Sequence, residues 1–188
     1  YDWTLILLIA ALLLTIYAQG KVSTTYSKYA KLRARSGVSA YDMARRLLDY
    51  NGLSDVRIEM IRGNLTDHYD PRHKVLRLSE SSYHSSSVAA LGVAAHECGH
   101  ALQHAEGYMP LKIRGALVPV ANFGSTMSWV LIIAGMLFSM FNLITLGIIC
   151  FTAVVLFQLV TLPVEFNASN RALAALEGGG FLERDELV

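Results

Sequence analysis

Between Arg114 and Glu165 lie 50 consecutive residues without an Asp, Glu, Lys or Arg. An average globular sequence is about one quarter charged, so a soluble domain has no room for such a stretch. As one helix it would run about 75 Å, more than twice the hydrocarbon core of a bilayer. Two spans joined by a short turn fit the distance. The polar break at Ser139-Met140-Phe141-Asn142 predicts a transmembrane hairpin with spans at 117–138 and 143–162. Whole-chain composition points the same way, with 53% hydrophobic and 16% charged residues and a mean hydropathy of +0.39. A net charge of +1 provides no basic surface, so no nucleic-acid partner is expected.

A second charge-free stretch, residues 3–20, would be about 27 Å long as a helix, again close to bilayer thickness. Trp3 and Tyr17 lie near its ends, where amphipathic rings suit the headgroup level. A cleaved signal peptide is the competing reading. The apolar stretch is too long for that, and no basic segment precedes it. A retained span is expected, giving three transmembrane helices. The chain opens on Tyr1 rather than Met, which reads as trimming. Cys98 and Cys150 are too few for a disulfide framework and are read as reduced.

Flanking charges set an orientation. Lys21, Lys28, Lys31, Arg33 and Arg35 follow the first span before any acidic residue, and Lys112 and Arg114 precede the hairpin. The positive-inside rule places both flanks in the cytoplasm. Because the hairpin crosses twice, the chain from Glu165 onward returns to that side.

Residues 21–110 read as a compact α+β unit between the membrane segments. Ser39 and Asp42 form a capping pattern that opens a helix running to Tyr50 and stopping at Gly52. Residues 56–61 alternate apolar and charged, a half-buried strand. Residues 66–69 and 74–78 flank Asp70-Pro71 and predict an antiparallel strand hairpin. A serine-rich stretch then leads into a helix from about Ser86 to Glu106, with Gly107 as its stop. The expected fold is thus an α+β integral membrane protein, mainly α-helical, with a small strand hairpin beside the last of these helices. Its expected segments are 1–20, 21–110, 111–162 and 163–188.

That helix carries His96-Glu97-Cys98-Gly99-His100, an HExxH pattern. Histidines four residues apart share one helix face, so both imidazoles can reach one Zn²⁺. The intervening Glu97 stands where it can take a proton from a water on the metal. Two histidines and a glutamate satisfied by their neighbours would be the bland alternative.

A catalytic zinc needs a third protein ligand and an open position. A metzincin would continue to a third His, but Gln103 and Glu106 occupy its Gly and His positions. His104 shares the helix face yet lies about 12 Å along the axis from His96, too far to join the same ion. It is expected to line the cleft. Residues 107–164 contain no Asp, Glu or His, so Glu165 is the next candidate. Pro163 suits the first turn of a new helix leaving the membrane, with Glu165 in that turn. An anionic residue favoured by the helix dipole is the plainer account of Glu165; His68, His84 and Glu80 are the fallback ligands.

Several stretches together resemble the YugP-like neutral zinc metallopeptidases of bacteria. They are Asn64-Leu65-Thr66-Asp67-His68-Tyr69-Asp70-Pro71, Val75-Leu76-Arg77-Leu78-Ser79, Ala94 through Gln103, and Pro163-Val164-Glu165-Phe166-Asn167-Ala168-Ser169. More distantly, the layout is similar to HtpX-like membrane proteases, which place two spans between an HExxH helix and the glutamate of an ExxAD motif. Ser169 stands at the Asp position of that motif, so a carboxylate that would orient a ligand histidine is missing there. The resemblance implies proteolysis, a bacterial cytoplasmic membrane and a further C-terminal hydrophobic segment.

The reading that follows is a membrane-anchored zinc metalloendopeptidase. Zn²⁺ on His96, His100 and Glu165 polarises the scissile carbonyl, and Glu97 serves as the base. Its partners are a protein or peptide substrate, from membrane or membrane-proximal proteins, and the bilayer. Oxyanion candidates are His68, His84, Tyr83, Tyr108 and Arg171, and residues 74–78 could offer an edge to an extended substrate. A catalytically inactive zinc-containing scaffold is the main alternative. A transporter is a weaker one, because the spans hold little that could ionise. Gly124, Ser125, Ser128, Gly135 and Ser139 could let helices approach closely.

Overall fold

The computed structural model describes residues 3–187 and is mostly helical, with one small sheet. Helix α1 (Trp3–Tyr29) continues well past the apolar stretch into the basic segment. From Ile9 to Thr25 its side chains are all exposed. The side chain of Trp3, expected at the headgroup level, lies outside the described part.

Helix α2 (Ala40–Tyr50) begins where the sequence predicts. Ser39 Oγ accepts from the Asp42 N–H at 3.1 Å, satisfying one of the free donors of the first turn. Met43, Ala44, Leu47 and Leu48 form its buried face. Gly52, at φ +73°, ends it in the left-handed conformation that costs glycine least.

Three strands follow: β1 (Arg57–Ile61), β2 (His68–Asp70) and β3 (Val75–Ser79). β2 and β3 form the expected antiparallel hairpin, with His68 opposite Arg77. β1 pairs in parallel with the other side of β3, so the sheet is mixed, in the order β1-β3-β2. β3 is therefore central, which explains why Val75, Leu76, Leu78 and Ser79 are all buried. It has no free edge for a substrate, contrary to expectation. The exposed edge next to the HExxH helix belongs to β2.

A one-turn helix α3 (Glu80–Tyr83) leads to α4 (Val88–Ala105), which carries residues 96–100. Ser87 caps α4 by accepting from the Ala90 N–H at 3.2 Å. Its small residues Ala90, Ala94, Ala95 and Ala101 are buried and let neighbouring elements approach closely. Gly107, at φ +68°, stops it.

Helices α5 (Met109–Leu137) and α6 (Phe141–Gly178) form the hairpin, turning at Phe138-Ser139-Met140. Both are long and apolar enough to cross a membrane. Large side chains such as Val120, Phe123, Trp129 and Ile149 point outward. Small residues lie between the helices. A Cβ on Gly147 would sit 2.9 Å from the Ser128 carbonyl oxygen, and one on Gly135 would sit 2.9 Å from the Ile144 nitrogen. Gly135 and the fully buried Ser128 are thus spent on the hairpin's own packing rather than on contact with another chain.

The structure corrects one local expectation. Pro163 does not open a new helix; α6 runs unbroken through it to Gly178. Proline removes one backbone donor, a loss that membrane helices accommodate when neighbours hold the segment in place. Here α4 packs along the far half of α6, so Glu165 rides on the same rigid rod as the second span.

Gly147→Leu should force α5 and α6 apart and cost about 1–3 kcal/mol, the usual range for overpacking. Thermal unfolding in detergent should show a lowered midpoint, whereas Leu146→Ala on the exposed side should change little.

Candidate metal centre

The site is built on the crossing of α4 and α6. A Cβ on Gly99 would lie 2.5 Å from the Ala168 carbonyl oxygen, closer than any real contact. Only glycine permits that approach. It brings His96 and His100, on the same face of α4, to the first polar turn of α6. His96 Nε2 lies 3.1 Å from Glu165 Oε2, and His100 Nε2 lies 3.5 Å from the same oxygen. The three donor atoms fall within 4.8 Å of one another. Ligands placed 2.0–2.1 Å from a tetrahedral zinc stand about 3.4 Å apart, so this spacing suits zinc.

Each donor is aimed by a neighbour. Ser169 Oγ, one turn beyond Glu165, lies 3.1 Å from His96 Nδ1, so a hydroxyl stands where the resemblance leads one to look for a carboxylate. Gln103 Oε1 lies 3.0 Å from His100 Nδ1. Arg114 of α5 pairs with Glu165 Oε1 at 2.7 Å, leaving Oε2 to face the histidines. Sequence reasoning missed Gln103 and Arg114. A signal for Arg114 existed: it is the last charge before the hairpin and Glu165 the first after it, and an antiparallel hairpin brings its two ends together.

Glu97 stands beside this cluster. The backbone N–H of Tyr69, on the outer edge of β2, donates to Glu97 Oε2 at 2.9 Å and fixes the carboxylate. Burial pushes its carboxyl above the usual range, against the opposing pull of His100 and His96. The same burial pushes the Tyr69 phenol up to about 12. Tyr69 therefore keeps its proton, and its hydroxyl pairs with His104 Nδ1 at 2.8 Å. His104 lines the cleft and lies outside the donor cluster, as the helix geometry requires.

The cleft measures about 730 Å³ and runs from Asp67, His68 and Tyr69 across the cluster to Tyr108, Gly115 and Val118. Of the oxyanion candidates, His68 and Tyr108 line it. Tyr83 instead stacks on Tyr41 and meets His84 edge to face, away from the cleft. Arg171 faces the opposite side of α4, where it pairs with Glu106. His84 and Glu80, two of the fallback ligands, lie outside both the donor cluster and the cleft, and His68 lines the cleft without joining the cluster.

The family described as "Putative neutral zinc metallopeptidase" matches residues 4–188, almost the whole chain. The chain belongs to this family. It is also 52% identical over 180 residues to a Bacillus subtilis (strain 168) protein named "Putative membrane protease YugP", covering 96% of this chain and 80% of that one. No solved structure matches. Zinc is the metal of the family, and the two-nitrogen, one-carboxylate donor set here is chemically suited to it.

Gly99→Ala should separate α4 from α6 and with them His96 and His100 from Glu165. Zinc affinity, measured by competition with a chromophoric chelator, should fall by at least roughly tenfold, the scale seen when support around a ligand is lost. Circular dichroism should show helix content retained.

Proposed function

We propose that this protein is a membrane-anchored zinc metalloendopeptidase that hydrolyses peptide bonds in membrane or membrane-proximal proteins. The observation that carries this reading is the meeting of His96, His100 and Glu165 on the wall of a 730 Å³ cleft, with Glu97 beside them. A zinc ion held by those three side chains would supply Lewis-acid polarisation of the scissile carbonyl and acidify the attacking water.

The chain's own groups account for the remaining steps. Glu97 accepts the proton of the attacking water and returns it to the departing amine. The Tyr69 N–H keeps its carboxylate aimed. β2 is an edge strand that borders the cleft, and an extended peptide can lie beside it, past the Tyr69 N–H that Glu97 occupies. His68 and Tyr108 line the same cleft and can donate to the developing oxyanion.

The membrane reading rests on three helices. α5 and α6 carry outward-facing apolar side chains along their lengths, and so does α1 from Ile9 to Tyr17. The cleft ends at Gly115 and Val118, where the charge-free stretch begins, which supports a mouth at the bilayer surface. Lys21, Lys28 and Lys31 beside the first span, with Lys112 and Arg114 beside the second, support a cytoplasmic orientation for that mouth.

Glu97→Gln should bind zinc at wild-type stoichiometry by metal analysis yet lose at least about a hundredfold in peptide hydrolysis, the usual contribution of a positioned base. Wild-type cleavage by this variant would overturn the mechanism and leave a zinc-containing scaffold. In a background lacking Cys150, Lys31→Cys and Gly179→Cys should resist an impermeant thiol reagent in intact cells, whereas Asn142→Cys should react. Opposite labelling of Lys31→Cys and Gly179→Cys would break the topology.

A further inference from the structure

A glycine inside a helix weakens it relative to alanine, so each one in α5 and α6 calls for a reason. Gly135 and Gly147 have one, since a Cβ at either would stand 2.9 Å from backbone of the facing helix. Gly99 on α4 has the same reason, with the Ala168 carbonyl oxygen at 2.5 Å. Gly115, in the second turn of α5, does not. A Cβ there would meet nothing within 4 Å, not even a side-chain atom of Pro119 one turn further on. No neighbour requires the side chain to be missing. What the glycine leaves is empty space, and that space opens on the cleft that holds the metal centre.

Two residues frame it. Leu111 lies four residues before Gly115 and Val118 three after, on one face of α5, and both line the cleft. Leu111 is half-buried and Val118 is 37% exposed, so each offers apolar surface to the gap. The two cations on this wall point elsewhere. Arg114 is committed to Glu165 Oε1 at 2.7 Å. Lys112 turns its ammonium back toward Gly107, where it would stand 3.3 Å from a Cβ. Arg114 also sets the scale: its neighbour Gly115 lies within one arginine side chain of the Glu165 carboxylate. The recess is therefore apolar, open to the cleft and close to the donor cluster.

We infer that Gly115 is a specificity-determining residue: the recess between Leu111 and Val118 receives a large apolar side chain, Leu or Phe, of a peptide in the cleft, at one fixed position relative to the cleaved bond. Such a side chain removes its own surface and that of Leu111 and Val118 from water, whereas a polar one would lose water without gaining a partner among these residues. This deepens the metallopeptidase reading and rests on it for the cleaved bond, but occupancy of the recess can be read without zinc or hydrolysis.

The test uses the full chain in detergent and decapeptides of one Ala-Ser-Lys frame, carrying a single Phe that is moved position by position. With zinc-loaded protein, the cleaved bond located by mass spectrometry should move with the Phe at constant spacing. The kcat/KM for the Phe peptide should exceed that for the same frame with Ala by about 10- to 100-fold, the range an apolar pocket gives. Gly115→Leu fills the recess with a good helix former and should lower this Phe-over-Ala ratio at least about tenfold, with zinc affinity unchanged; Gly115→Ala should lower it less. Leu111→Gln, similar in length but polar, should also lower the ratio and serves if Gly115→Leu does not fold. With zinc-free protein, the frame carrying a diazirine analogue of leucine should attach on illumination to residues 111–118, and Gly115→Leu should lose most of that adduct. Cleavage at bonds unrelated to the Phe, or a ratio unchanged in both Gly115→Leu and Leu111→Gln, would overturn the inference. So would a fall in zinc affinity that accounts for the loss, or labelling of residues 111–118 by a diazirine phospholipid that the peptide does not displace. Absence of hydrolysis by the wild type, with the peptide adduct on residues 111–118 intact, would uphold the recess as a peptide site and count against the peptidase reading alone.

Discussion

Everything at the metal centre depends on how closely α4 can approach α6. At Gly99 and Ala168 the two backbones leave no space for a methyl group. That contact sets the distance between a histidine pair on one helix and a carboxylate on another. It also lets Gln103 reach the backbone of α6 at Val164 and Ser169 reach back to His96. A wider crossing would lose the donor cluster and its supports together. The alanines lining this part of α4 and α6, Ala94, Ala95, Ala168 and Ala172, serve the same close approach.

The apolar hairpin of α5 and α6 extends that constraint. α6 is one rod from Phe141 to Gly178, so the segment bearing Glu165 cannot move independently of the span before it. Arg114 on α5 grips the other oxygen of Glu165, tying the second arm of the hairpin to the same carboxylate. Arg114 is the last charge before the apolar stretch and Glu165 the first after it, so this pair closes the open end of the hairpin. The soluble unit closes the site from the opposite side. Its β2 edge holds Glu97 through one backbone N–H, and the Asp67 carboxylate anchors the start of that strand to Ser79 at the end of β3.

Polar groups near the metal centre are arranged in two directions. On the cleft side, Tyr69, His104 and Glu97 form a short network that faces the open cleft. On the far side, Gln103, Asn167 and Arg171 form a closed one that ends in an ion pair. Among the described residues no buried side-chain donor or acceptor lacks a partner. Orientation of the histidines thus comes from the closed network and from Ser169, while the open one lines the cleft.

Local rules made much of this chain legible. The caps at Ser39 and Ser87, the stops at Gly52 and Gly107, the turn near Ser139 and the β2–β3 hairpin follow from residues within a few positions of one another. The i, i+4 histidines and the adjacent glutamate follow from the helical repeat, and the spans follow from charge-free length. Pro163 was misread as a helix start because its local preference fits that role equally well, and only packing against α4 shows the helix running through it. The parallel partner of β3 was not legible either, since nothing in residues 57–61 says which edge they will pair with. Arg171 could be recognised as a cation near the site but not as lying behind it, because its side depends on the rotation of α6 about its own axis. The sequence by itself determined which groups exist and which share a helix face, since those depend on backbone geometry within one element. Only the tertiary structure decided that Gly99 is the contact point, that Ser169 and Gln103 aim the histidines and that Arg114 holds Glu165. These depend on how separate helices cross, and a crossing is set by the whole packed surface rather than by any one segment.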